Sequence, residues 1–230
     1  MVDVGSRRIS VRLRRSTRAK RYLLKIPTDG SEPVLTMPAG GTLATAQRFA
    51  DRHAGWLAAR LAERPEPVAF APGAIVPLRG SDHRIVAAGR LRGLIELGDD
   101  AGVPVLIVPG APEHIARRLT DWLRSAARAD LDAAVARHTA VLGRTHTGLT
   151  IRDTRSRWGS CTSSGRLSFS WRLVLAPPEI LDYVAAHEVA HLAEMNHGPA
   201  FWRLCRQLAP QTDAARLWLR TNGARLHLYG

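Results

Sequence analysis

The chain has 230 residues, 45% of them hydrophobic, and carries 33 Lys and Arg against 20 Asp and Glu, a formal charge of +13. That length suits one large domain or two small ones, and without an apolar run of about eighteen residues it holds no candidate transmembrane helix, so no membrane partner is expected. The charge invites an anionic substrate or partner, but Lys20 and Lys25 are the only lysines, and arginine bias beside abundant Ala, Gly and Pro is also what a GC-rich coding sequence yields.

Arg7, Arg8, Arg12, Arg14 and Arg15 leave no room for the apolar core of a signal peptide, so a cytoplasmic protein is the expectation. Residues 7–21 are the best candidate for a basic patch able to meet nucleic acid. Ile9, Val11 and Leu13 alternate with polar residues as in a half-buried strand, and 22–26 and 34–37 read as two more, with Asp29-Gly30 as a turn. Thr42 opens a helical pattern to about 61, with Leu43, Ala46, Phe49, Ala50, His53, Trp56 and Leu57 on one face. Pro65 and Pro67 mark a linker over 64–71. Short strands follow at 75–78, 83–87, 94–97 and 103–108, then a long amphipathic helix over 112–142 that Gly143 stops. Leu149 and Ile151 suggest a strand, and Leu167, Phe169 and Trp171 alternate as another. Pro177 and Pro178 open a further helix, suited to a first turn where a missing N–H costs nothing. Asn196 to Pro199 breaks it, a short helix runs to about Pro210, and a last one covers 213–221. The two cysteines, Cys161 and Cys205, form no disulfide framework and lack zinc-pair spacing. The fold class expected is α+β, with three segments, 1–63, 64–111 and 112–230, unless the whole closes into one unit.

The chemistry concentrates in His187-Glu188-Val189-Ala190-His191, with His197 six residues on. Two histidines four apart lie one turn apart on one helix face, so both imidazoles reach one metal ion. Glu188 is set to take a proton from a metal-bound water, and a third ligand beyond the helix leaves the fourth position open, the layout of a catalytic zinc site. Ile180, Leu181, Val184, Val189, Leu192 and Met195 are spaced so that much of this helix should be buried, and buried histidines need partners. Glu194, one turn past His191, is an alternative third ligand. Cys161 as nucleophile is a weaker reading, because no dedicated base is evident. Trp158 and Trp171 read as core residues before substrate-stacking ones. Arg155, Arg157, Arg166 and Arg172 cluster on the same strands and would suit phosphate or carboxylate if they face the metal.

The runs Arg157-Trp158-Gly159-Ser160-Cys161, Trp171-Arg172-Leu173, His187 to His197, and Phe201-Trp202 resemble the YgjP-like metallopeptidase domain family, related to the SprT-like and WLM zincins. The resemblance is closest over 149–209. It implies a minimal zincin fold: a small sheet whose edge strand runs above the active site, the metal helix beneath, and a second helix after the third ligand. It also implies His187, His191 and His197 as ligands of one Zn²⁺ and Glu188 as general base. Arg157, Trp158, Gly159, Ser160, Arg166 and Arg172 become candidate substrate contacts. The expected function is a zinc metallopeptidase using a Glu-activated metal-bound water, with a polypeptide paired to the edge strand. One alternative is a metal-dependent phosphohydrolase acting on nucleotides or phosphoanhydrides. Another is a SprT-like protease recruited to nucleic acid through the basic N-terminal region.

Overall fold

A computed structural model describes residues 2–4, 7–27, 31–63, 66–154 and 156–230. The turn expected at Asp29-Gly30, the start of the linker at Arg64 and Pro65, and Arg155 lie outside the described residues. The chain divides into two units, Met1–Pro67 and Val68–Gly230.

In the first unit, β1 (Val2–Val4) pairs antiparallel with β2 (Arg7–Ile9). A three-stranded sheet follows, built of β3 (Arg12–Ser16), β4 (Leu23–Lys25) and β5 (Val34–Pro38). β5 lies between the other two, parallel to β3 and antiparallel to β4. Its central position explains why Leu35, Thr36 and Met37 are buried while β3 is largely exposed. The alternation read through Ile9, Val11 and Leu13 is interrupted at Ser10 and Val11, which separate β2 from β3. The helix expected over 42–61 is two helices, α1 (Leu43–Arg52) and α2 (Ala54–Ala62). Thr42 caps the first by accepting the Thr45 N–H at 3.2 Å. His53 leaves helical geometry at the junction, with φ −99° and ψ 10°. Leu35, Met37, Ala46, Ala50 and Ala54 form this unit's core. Arg8, Arg12, Arg14, Arg15, Arg18, Lys20 and Arg21 are all exposed.

The second unit begins with a four-stranded sheet of β6 (Ile75–Leu78), β7 (Ser81–Ala87), β8 (Glu96–Asp100) and β9 (Val103–Val108), in the order β6-β7-β9-β8. A 3₁₀ turn at Pro112–His114 leads into α3 (Ile115–Leu142). Gly143 ends it in the left-handed region at φ 66°, the conformation a helix stop needs. A second sheet holds β10 (Gly148–Arg152), β11 (Gly159–Cys161) and β12 (Arg166–Ser170), with β12 central and β11 at the edge. β12 is parallel to β10 and antiparallel to β11. The strand expected through Trp171 stops at Ser170, because Trp171–Leu175 coils into a 3₁₀ turn that points Trp171 into the core. Three helices complete the chain: α4 (Pro178–Ala190), α5 (Pro199–Leu208) and α6 (Thr212–Leu226).

One hydrophobic core runs from Phe70 and Ile85 through Leu119 and Leu131 to Phe169, Val189 and Phe201. The segment 64–111 therefore shares its interior with 112–230, and the division of the chain falls at 67/68. α4 is buried on nearly every side, as expected of a central helix with apolar residues all round. Asp182 ties it to its neighbours, accepting from His138 Nε2 at 2.8 Å, Arg137 at 3.0 Å and Gln211 at 2.9 Å. The two ends of this unit meet where Val68 N–H donates to the Leu228 carbonyl at 2.8 Å. No helix among the described residues is long and apolar enough to cross a membrane.

Candidate metal centre

α4 carries His187 and Glu188 in its last turn, and His191 is its C-terminal cap residue. The chain then turns through Asn196 and Gly198, where Pro199 starts α5. This turn brings His197 back over the helix end. His187, His191 and His197 each offer a ring nitrogen, and these three atoms lie within 4.8 Å of one another. The Nε2 atoms of His187 and His197 are 3.1 Å apart. Two imidazoles on a tetrahedral zinc with Zn–N bonds of about 2.0–2.1 Å would stand roughly 3.3 Å apart, so this pair already has the required separation.

The second nitrogen of each α4 histidine is engaged. His191 Nδ1 lies 2.9 Å from the Glu194 carbonyl. A carbonyl only accepts, so this contact fixes the proton on Nδ1 and leaves the Nε2 lone pair free for a cation. His187 Nδ1 lies 3.3 Å from Tyr183 Oη, one helical turn back. Burial is the first cause that drives His187 down to about 3, aided by His191, His197 and Arg216, so it stays neutral, as a ligand must. Phe201 packs against all three rings at 4.9, 4.5 and 4.7 Å between centroids, which restricts their rotation. Trp202 lies beside His187 and His197, with the Arg216 guanidinium 4.2 Å above its ring.

Glu188 is 5% exposed, and burial pushes its carboxyl up to about 7, partly opposed by the charge of Arg157. The edge strand β11 lies directly against it. A Cβ built on Gly159 would stand 2.5 Å from Glu188 Oε1 and 2.6 Å from its Cγ, so only glycine fits at that approach. Gly159 and Arg157 thus join Glu188 at the site. Cys161 is half-buried on the same strand, and burial followed by the Glu188 charge raises its thiol, the reverse of nucleophile activation. Cys161 and Cys205 are both free.

The other substrate candidates lie differently. Trp158 stacks on His227 at 4.9 Å between ring centroids, and Gly223 lets α6 come close to its indole. Ser160 is half-buried at the centre of β11, opposite Ser168. Arg166 is exposed at the start of β12, its backbone N–H donating to the Thr162 hydroxyl at 3.0 Å. Arg172 does not present itself as a substrate contact. It is 6% exposed and its guanidinium binds Asp153 and the Tyr229 carbonyl. The reason is local: the 3₁₀ turn after Ser170 swings it into the interior, where it ties the C-terminus down. Tyr183 is 5% exposed and faces the outer nitrogen of His187. The i, i+4 spacing of Tyr183 and His187 was the sequence signal for that role. Glu194 is exposed, and its backbone rather than its carboxylate meets His191.

Residues 20–222 match the family model described as YgjP-like, metallopeptidase domain. The chain belongs to this family. It is thereby a metallopeptidase-family protein, a hydrolase that works with a divalent metal. The chain is similar to a solved structure, the crystal structure of the metallopeptidase zymogen of Pyrococcus abyssi abylysin. The identity is 18%, the TM-score 0.36, and the match covers 39% of this chain and 93% of that one. No curated protein matches the sequence. Within this YgjP-like chain, three imidazoles form a nitrogen donor set that favours zinc over magnesium.

Proposed function

We propose that this YgjP-like protein is a zinc-dependent peptidase in which His187, His191 and His197 hold the ion and Glu188 is the general base. The observation that carries the reading is the convergence of three imidazole nitrogens, one with its tautomer fixed by the Glu194 carbonyl, beside a buried carboxylate. When bound, zinc supplies Lewis acidity and lowers the pKa of water to about 7. Glu188 accepts the proton of the attacking water and later delivers it to the leaving amine. Its shielding by β11 keeps bulk water away from that proton. An extended polypeptide pairs with the free edge of β11, so main-chain hydrogen bonds align the scissile bond with Glu188.

Polypeptide is favoured over phosphoanhydride because the arginine cluster is dispersed. Arg172 is engaged by Asp153, and Arg157 is the arginine whose charge reaches Glu188. The test is Glu188→Gln, assayed on an unstructured polypeptide and on nucleoside triphosphates. The variant should keep about one zinc per chain while peptide cleavage falls by about 10²–10⁴-fold. Unchanged cleavage in zinc-loaded variant, or a wild-type protein that hydrolyses triphosphates and no polypeptide, would overturn the reading.

A further inference from the structure

A cavity of about 310 Å³ adjoins the metal centre, with His191 as one of its lining residues. Its size is at the lower end of ligand pockets, roughly 300–1,000 Å³. Three pieces of chain enclose it. The end of the metal helix contributes His191 and Leu192, the turn between β11 and β12 contributes Thr162 and Ser163, and the segment after α3 contributes Arg144 and Thr147.

The walls are tied to one another. Thr162 N–H donates to the Arg166 carbonyl at 3.0 Å and Gly165 N–H to the Thr162 carbonyl at 2.9 Å, closing the hairpin turn. Thr147 N–H donates to the Gly165 carbonyl at 2.9 Å, and its hydroxyl to the Ser164 carbonyl at 3.0 Å, binding the turn to the segment after α3. The site is therefore preformed, which lowers the entropic cost of filling it. Its electrostatics have one sign. Arg144 makes no salt bridge among the described residues, and no carboxylate lines the cavity. Leu192 and Met195 supply an apolar floor beside the hydroxyls.

We propose that this cavity is a subsite for an acidic side chain of the polypeptide substrate, with Arg144 as the residue that sets the preference. The proposal rests on the peptidase reading above. A chain paired to β11 runs toward the hairpin turn that walls the cavity. A glutamate there lays its methylenes on Leu192 and Met195 and turns its carboxylate to Arg144. A lysine at the same point meets a like charge and finds no acceptor carboxylate.

The experiment uses zinc-loaded full-length protein and peptides identical except for Glu, Gln or Lys at each position flanking the scissile bond. Wild type should prefer Glu over Lys at one position by about fivefold in kcat/KM, the upper range for a solvent-exposed ion pair. Arg144→Glu should invert that preference, and Arg144→Lys should keep its direction. Both variants should retain zinc, since Arg144 is exposed and holds no ligand. A preference that survives Arg144→Glu, or cleavage indifferent to charge, overturns the proposal. Calorimetric titration with N-acetylglutamate, N-acetylglutamine amide and inorganic phosphate separates the subsite from the peptidase reading. Arg144-dependent binding of N-acetylglutamate without any peptide cleavage would retain the subsite and sink the peptidase reading. Binding of phosphate alone would sink the subsite as an acidic side-chain site.

Discussion

At the scale of single residues, Gly159 shows how closely the backbone is fitted to the Glu188 carboxylate. Its absent side chain is the space that Glu188 fills, at a separation of 2.5 Å where 3.4 Å or more is ordinary contact. Gly159→Ala must push Glu188 aside or move the edge strand. Peptide turnover should fall at least tenfold while zinc content is retained, because the three atoms nearest to the added Cβ all belong to Glu188; unchanged turnover would show that Glu188 tolerates displacement. A second comparison tests the ligand set. Glu194 reaches His191 through its carbonyl, which survives Glu194→Ala, whereas His197→Ala removes a donor atom. Zinc affinity, measured by competition with a chelator, should fall at least tenfold for His197→Ala and less than threefold for Glu194→Ala. The reverse order would transfer the ligand role to the carboxylate.

At the scale of elements, the long range ties between helices decide where α4 sits. Asp182 on α4 accepts from His138 and Arg137 on α3 and from Gln211 before α6. Burial works to raise the Asp182 carboxyl, but those hydrogen bonds outweigh it and hold it below the usual carboxylate range. A carboxyl with a depressed folded pKa stabilises the fold above its unfolded value of about 3.9, and that contribution is lost as pH falls through the lower folded value. Asp182→Asn should cost on the order of 1 kcal/mol at neutral pH, allowing for its partial exposure. Urea titrations should show wild type and variant converging as pH drops below about 4. A gap that widens on acidification would mean the bonds to Asp182 do not hold its charged form.

None of those ties is visible in the sequence, because His138 and Asp182 are forty-four positions apart and no periodicity links them. What is legible is local. The His-Glu-x-x-His spacing, Pro178 at the start of α4, and Gly143 at the end of α3 each follow from one turn of helix geometry. Where tertiary packing decides, the pattern misleads. α6 continues to Leu226, five residues past the end expected at 221. Gly223 is helical because it faces Trp158, where a Cβ would stand 3.1 Å from the indole. Arg172 likewise looked like a surface arginine on a strand and is buried by a turn that begins one residue earlier. The site residues close in sequence were legible as a group; Arg144 comes to the cavity beside His191 only through the fold.

At the scale of the whole molecule, the two units have separate cores. The apolar cluster of the second unit spans Phe70 to Leu226, and that of the first spans Leu35 to Ala54. All three histidines, Glu188, the edge strand and Tyr183 belong to the second unit. Its beginning is also fastened to its end, since Val68 N–H donates to the Leu228 carbonyl and Gly230 N–H donates to the Val68 carbonyl. A chain of 163 residues from Val68 to Gly230 is large enough to bury a stable core alone, at about 70% of its unfolded surface. The fragment 68–230 should therefore unfold in one cooperative transition and bind about one zinc per chain, the same stoichiometry expected of the full protein. Removing Val68 and the residues up to Phe70 as well should lower its midpoint, because Phe70 packs edge-on against Trp171 at 6.5 Å and the terminal bridge is lost. A fragment that starts at Val68 and binds no zinc, while the full chain does, would show that the first unit is needed to build the metal centre.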